Sequence, residues 1–266
     1  MVALEVDVPA DSPAQSPPTP QEGHEPNRLA RAESAYDSFA DRVEARVQGA
    51  LDRLPARVKP RLRGWLHLGA IPVSTVLCLV LVVVAPTAAA RTALAVYLAT
   101  SVLLFAVSAV YHRGSWGPAM GDFLRRLDHA NIFLIIAGTY TPFAVLLLPP
   151  TQARLLLVVI WVGAVAGVLF RLLWLHAPRW SYVAAYIALG WVAAFFVVDI
   201  VRLGGGLILA LLLLGGALYT VGAVVYATRR PDPSPRWFGY HEVFHAFTIA
   251  AWLAMYAAIA VLVGRA

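Results

Sequence analysis

Five polar residues in an otherwise apolar chain could do chemistry. Ser108 and His112 are four positions apart, as are His241 and His245, and Asp128 stands between the two pairs. Residues four apart on an α-helix share a face, so His241 and His245 aim two imidazoles the same way. His112 brings a third from a distant part of the chain. Zinc accepts three such nitrogens at about 2.0–2.1 Å. Asp128 would either complete the shell or hold a water at a fourth, open position. Zinc lowers the pKa of that water toward ~7, and a carboxylate then takes its proton. Ser108, one turn from His112, would sit just behind the ligands or stabilise an oxyanion.

Two other readings compete for the same residues. A pair of histidines four apart can simply be interfacial and hydrogen-bonded. The run His241-Glu242-Val243-Phe244-His245 also fits the H-E-x-x-H pattern of zinc proteases, with Glu242 as general base. It opens the last apolar stretch, where little chain follows to supply a third ligand. His112 and Asp128 therefore weigh toward the three-histidine arrangement.

The elements that must position these residues are helices in a bilayer. Of 266 residues, 60 % are hydrophobic and 14 % charged, and the mean hydropathy is +0.70. Soluble domains carry about 25 % charged residues, so a soluble globule is excluded. The net charge of +6 brings no basic run interleaved with surface aromatics, so nucleic acid is not expected as a partner. Membrane lipids are. The lone Cys78 lies inside an apolar stretch, facing lipid or packed, and cannot form an intrachain disulfide.

Apolar stretches fall at Leu66–Ala85, Ala93–Tyr111, Leu127–Leu148, Leu155–Trp174, Tyr182–Val201, Leu207–Ala227 and Tyr240–Val263. Each has about the 20 residues a helix needs to cross ~30 Å of hydrocarbon. The expected fold is all-α, a polytopic membrane protein with a seven-transmembrane helix bundle over 61–266. Residues 1–27 hold no Lys or Arg and a Pro-rich patch at Pro13–Pro20; they read as a disordered tail rather than a secretory signal. Within 28–60, Tyr36, Phe39, Val43, Val47, Leu51 and Leu54 recur every three or four residues, as in an amphipathic cytoplasmic helix followed by a linker.

Basic residues orient the bundle. Arg57, Lys59, Arg61, Arg63, Arg113, Arg125, Arg126, Arg171, Arg179, Arg229, Arg230 and Arg236 flank one side, against Arg91, Arg154, Arg202 and Arg265 on the other. That bias places the amino terminus in the cytoplasm of a multi-pass cell-membrane protein. Trp65, Trp116, Trp174, Trp180 and Trp237 join the basic side as interfacial anchors. All five chemical residues then share one depth at that side, where ionisable groups are costly and functional by default. Other polar residues read more plainly. His129, turned about 100° from Asp128, bonds a headgroup or a neighbour. His67 is an interfacial anchor or a group behind the ligands. Asp199 and Arg202, three apart, read as a local ion pair. His24 and His176 fall in a tail and a loop.

Three runs carry a resemblance: Ser108-Ala-Val-Tyr-His112, Arg126-Leu-Asp-His-Ala-Asn-Ile-Phe133 with Ala137-Gly-Thr-Tyr-Thr-Pro142, and Phe238-Gly-Tyr-His-Glu-Val-Phe-His245. In these the sequence resembles the bacterial hemolysin III family of the progestin and adipoQ receptor superfamily. The resemblance implies seven helices, a cytoplasmic amino terminus, and zinc (Zn2+) bound by His112, His241 and His245. It also implies Asp128 reaching the metal through water, with Ser108 nearby. Relatives include alkaline ceramidases, which suggests hydrolysis of a lipid amide substrate. Glu242 is usual in the bacterial branch, which weighs against a protease. A receptor-like or membrane-homeostasis protein with structural zinc is the alternative. A pore-forming toxin fits less well, because such a toxin must stay soluble before insertion. The oligomeric state is not written in the sequence.

Overall fold

The computed structural model describes residues 60–174 and 177–266, with Tyr36, Phe39, Arg42, Val43 and Arg46 besides. The chain divides into two units, Met1–Arg57 and Val58–Ala266. The expected tail, His24, His176 and most of the amphipathic helix lie outside the described residues. Its five described positions are helical and exposed.

In the second unit the regular helices are α1 (Trp65–Val84), α2 (Ala88–Arg113), α3 (Pro118–Leu147), α4 (Pro150–Leu173), α5 (Arg179–Gly190), α6 (Gly205–Thr228) and α7 (Tyr240–Arg265). Their starts follow local chemistry. Thr87 caps α2 by accepting a hydrogen bond from Ala90 N at 3.1 Å. Pro118 and Pro150 sit in the first turns of α3 and α4, where a missing N–H costs nothing. Pro72 and Pro142 lie inside α1 and α3, as membrane helices tolerate.

Among the described residues, six segments are long and apolar enough to cross a membrane, not the seven expected. The fifth and sixth expected crossings fall in one 50-residue segment, Arg179–Thr228. Only its second limb, α6, is a long regular helix. The first limb stops being α-helical after Gly190 and continues as a 3-10 stretch (Val192–Phe196), a single turn (Val197–Asp199) and a π stretch (Ile200–Gly204). Gly205, at φ 79°, then reverses the chain. The limbs run antiparallel: Trp191 Nε1 donates to Thr220 Oγ1 at 3.1 Å, and Arg179 to the Tyr226 carbonyl at 3.2 Å. Tyr140 of α3 repairs the break. Its hydroxyl donates to Gly190 O at 2.7 Å and accepts from Ala193 N at 2.8 Å, satisfying backbone groups that lipid would leave bare.

Neighbours in sequence pack as neighbours in space, and α1 also meets α7, so the bundle closes on itself. The centre is α3: its apolar window is 67 % buried, against 22 % for α1. One core cluster, including Tyr97, Phe105 and Trp252, joins α1, α2, α3 and α7, and Cys78 is packed within it. A second, including Phe133, Ile160 and Tyr186, joins α3, α4, α5 and α6. Outward faces carry Val73, Val76, Val80 and Val83 on α1 and Val158, Val162 and Val165 on α4, all exposed. Apolar surface on that scale needs lipid rather than water.

Candidate metal centre

Consecutive helices alternate in direction, so α1, α3, α5 and α7 begin where α2, α4 and α6 end. That single end gathers His67 from the first turn of α1, His112 from the last turn of α2, Asp128 and His129 from α3, Tyr226 from α6, and His241 and His245 from α7. Trp65, Trp116, Trp174, Trp180 and Trp237 are exposed around it.

His112, His241 and His245 are buried, and one ligand nitrogen from each lies within 4.8 Å of the others. His112 Nε2 and His241 Nε2 are 3.0 Å apart. Nitrogens sharing a tetrahedral zinc are separated by about 3.3 Å, so the triad fits such an ion with little adjustment. His245 Nδ1 is buried without a hydrogen-bond partner among the described residues, an arrangement costly for a ring with nothing to bind. The triad could hold a metal ion. Asp128 Oδ2 approaches His112 Nε2 to 3.6 Å. Ser108 Oγ is buried, has no hydrogen-bond partner among the described residues, and lines a cavity that adjoins the triad.

The start of α1 is shaped for this closeness. Gly64 adopts φ 79°, and a Cβ there would stand 2.9 Å from His112 Cβ. His67 consequently stacks on His245 with ring centroids 3.7 Å apart. It is buried against the triad, not an interfacial anchor, and both its nitrogens lack partners among the described residues.

Glu242 faces elsewhere. It is fully buried, paired with Arg63, and accepts the backbone N–H of Gly239 at 2.8 Å. It caps α7 and ties that helix to the segment before α1, and both carboxylate oxygens are occupied. The H-E-x-x-H pattern is thus a capping device here. Beside it, Arg61 N donates to Arg236 O at 3.0 Å and Leu62 N to Trp237 O at 3.2 Å, joining the two segments at this end.

His129 bonds neighbours. Its Nδ1 lies 3.1 Å from Arg171 Nη2, its Nε2 lies 2.9 Å from Tyr226 Oη, and its carbonyl accepts from Tyr186 Oη at 2.9 Å. The sequence reading missed Arg171, Tyr186 and Tyr226. Arg171 was legible only as an ionisable group at a span end, where it reads as an orienting charge. At the far end, Asp199 accepts from Gln152 Nε2 at 3.1 Å, and no Asp199–Arg202 ion pair forms among the described residues. The switch to π geometry at Ile200 removes the face that three-residue spacing shares on an α-helix.

A cavity of about 1100 Å³, counting space open to the surroundings, begins at Ser108, Asp128, His241 and His245. It continues along Ile132, Ile136 and Thr139. A second, of about 990 Å³, shares Thr139, Tyr140, Gly190, Trp191, Gly216 and Met255 with it and ends among Leu147, Leu148 and Ile200.

The sequence of residues 56–256 matches the model of the Haemolysin-III related family. A Bacillus cereus protein named Hemolysin-3 is 30 % identical over 170 residues, covering 64 % of this chain and 74 % of that protein. A Bacillus subtilis (strain 168) protein named Hemolysin-3 homolog is 31 % identical over 135 residues, covering 51 % of this chain and 61 % of that one. A match over most of the chain, containing the triad and its neighbours, settles the family: this protein belongs to the Haemolysin-III related family.

Proposed function

We propose that the chain is a zinc-dependent hydrolase of lipid amides, lying in the cell membrane with its histidine end at the cytoplasmic face. The observation that carries this reading is a buried histidine triad with a carboxylate beside it, opening directly onto an apolar cavity. His112, His241 and His245 would hold the ion. Bound there, zinc supplies Lewis acidity, which polarises a carbonyl and makes water a stronger acid. Asp128 takes the proton of the attacking water and returns it to the departing amine as the C–N bond breaks, leaving a fatty acid. The Ser108 hydroxyl, which has no partner among the described residues, donates to the oxygen that gains charge. From Asp128 to Leu147 the cavities follow α3 for about 28 Å, room for a long acyl chain reached from within the bilayer. The excess of basic residues at this end supports its cytoplasmic placement.

One observation favours a second reading. Asp128 Oδ2 stands close enough to His112 Nε2 to serve as a fourth ligand, and a closed four-ligand shell marks structural zinc in a receptor-like or membrane-homeostasis protein. Incubating the purified protein with a panel of N-acyl lipids separates the two. Release of fatty acid that stops on chelation and returns with zinc supports the hydrolase. Zinc-loaded protein that cleaves no member of the panel points to the structural role.

A further inference from the structure

The polar chain behind the cavity has a direction, and it ends in a single proton. A guanidinium can only donate, so Arg171 Nη2 donates to His129 Nδ1. Nδ1 is then the acceptor nitrogen, and the imidazole carries its hydrogen on Nε2. That hydrogen points at Tyr226 Oη, 2.9 Å away, and Tyr226 must accept it. Its own hydroxyl hydrogen remains to be placed. The other side-chain oxygen near it among the described residues, Tyr182 Oη, is 3.4 Å distant, a long contact in which either hydroxyl could be the donor. It lies beyond the usual range for O–H···O bonds, so a carbonyl at normal distance displaces it. Tyr182 does not line the cavity, whereas His129 and Tyr226 do, beside His241.

Two cations reinforce this direction. Arg171 is buried, has no ion-pair partner among the described residues, and lies over the Tyr182 ring at 4.6 Å. Its charge acts through His129, polarising the Nε2–H bond toward Tyr226. Arg179 donates to the Tyr226 carbonyl and stands 4.8 Å over its ring, which draws electron density from the phenol and strengthens it as a donor.

We propose that Tyr226 is the cavity's oriented hydrogen-bond donor, presenting its hydroxyl proton to the acyl oxygen of a bound lipid amide, with His129 and Arg171 as positioning residues that fix its direction. The proposal rests on the lipid-amide reading above and adds the group that recognises the amide. Tyr226 selects an acceptor oxygen. A ligand offering a weaker acceptor at that point leaves the proton unsatisfied in an apolar wall.

The test uses the full-length protein, stripped of metal by chelation so that no turnover occurs, in lipid nanodiscs. The probes are a hexadecanoyl amide lipid with a 13C-labelled carbonyl and its thioamide analogue, a weaker acceptor. The wild type binds the amide about tenfold tighter than the thioamide, the order expected for one buried hydrogen bond, and its carbonyl stretch shifts to lower frequency on binding. Tyr226→Phe removes most of the preference and of the shift, leaving the part that Ser108 supplies, while Tyr182→Phe keeps them. Arg171→Met reduces the shift without touching the ligand, which a purely structural role in folding would not produce. Metal stoichiometry after zinc is restored checks that Tyr226→Phe is folded. An unchanged carbonyl shift in Tyr226→Phe overturns the proposal, as does an unchanged shift in Arg171→Met for the positioning residues. If the wild type binds neither probe, the lipid-amide reading falls with it; binding that ignores Tyr226 sinks this inference alone.

Discussion

His112 Nε2 and His241 Nε2 meet at 3.0 Å across 129 residues of sequence, from helices that enter the site in opposite directions. Two neutral imidazoles can satisfy that contact only by one donating to the other. A cation between them, joined by His245, satisfies all three at once. The chemistry proposed for the protein begins from that contact.

Asp128→Asn separates proton transfer from metal binding. The amide keeps the size of the carboxylate but cannot take a proton. We expect zinc content to stay within error of the wild type and lipid-amide cleavage to fall about 10²–10⁴-fold. Element analysis and single-turnover assays on the same preparation read both quantities. Equal loss of metal and activity would make Asp128 a ligand instead.

Glu242→Gln distinguishes a cap from a base. Removing the charge leaves the partly exposed Arg63 facing a neutral amide; breaking a fully buried pair costs about 3 kcal/mol, and solvent at the guanidinium reduces that to about 1–2 kcal/mol. Thermal unfolding should therefore move down by several degrees, while the surviving folded fraction keeps its zinc. A stable variant with no turnover would restore the H-E-x-x-H reading.

Gly64→Ala should loosen the centre without altering any ligand. The left-handed φ of 79° costs an L-residue about 1 kcal/mol, and the added Cβ presses on His112 Cβ. Zinc affinity measured by competition with a fluorescent chelator should drop about tenfold or more. An unchanged affinity would mean that the start of α1 yields freely.

Gly216 lines both cavities, with the Trp191 ring 3.6 Å from where its Cβ would be, an ordinary contact. Gly216→Leu should thus fold and place a side chain across the apolar path. Cleavage of long-chain amides should suffer through KM by an order of magnitude, and short-chain substrates should be spared. Equal effects on both lengths would show that the chain does not run this way.

Much of this arrangement was legible before any coordinates. Hydropathy placed seven apolar stretches, of which the fifth and sixth share one segment among the six found in the described residues, and spacing of four put His241 and His245 on one face. Direction and partners were not. Apart from Asp199 the stretch Tyr182–Val201 carries no charge, so nothing in it announces that the helix breaks after Gly190; the break survives because the Tyr140 hydroxyl, from another helix, takes over the exposed backbone groups. Arg171 counts toward orientation like any span-end arginine, and only folding reveals that it is buried against His129. Glu242 and Arg63 are 179 residues apart, as His129 and Tyr226 are 97. Pairings at such range depend on which helices become neighbours, and residue periodicity does not encode that.

The most direct measurement is the zinc content of the purified full-length protein beside its His241→Ala, His245→Ala double variant. We expect close to one zinc per wild-type chain and almost none in the double variant, with both proteins helical by circular dichroism. Metal retained after both imidazoles are gone, or a wild type that takes up no zinc at saturating concentration, would contradict the account at its root.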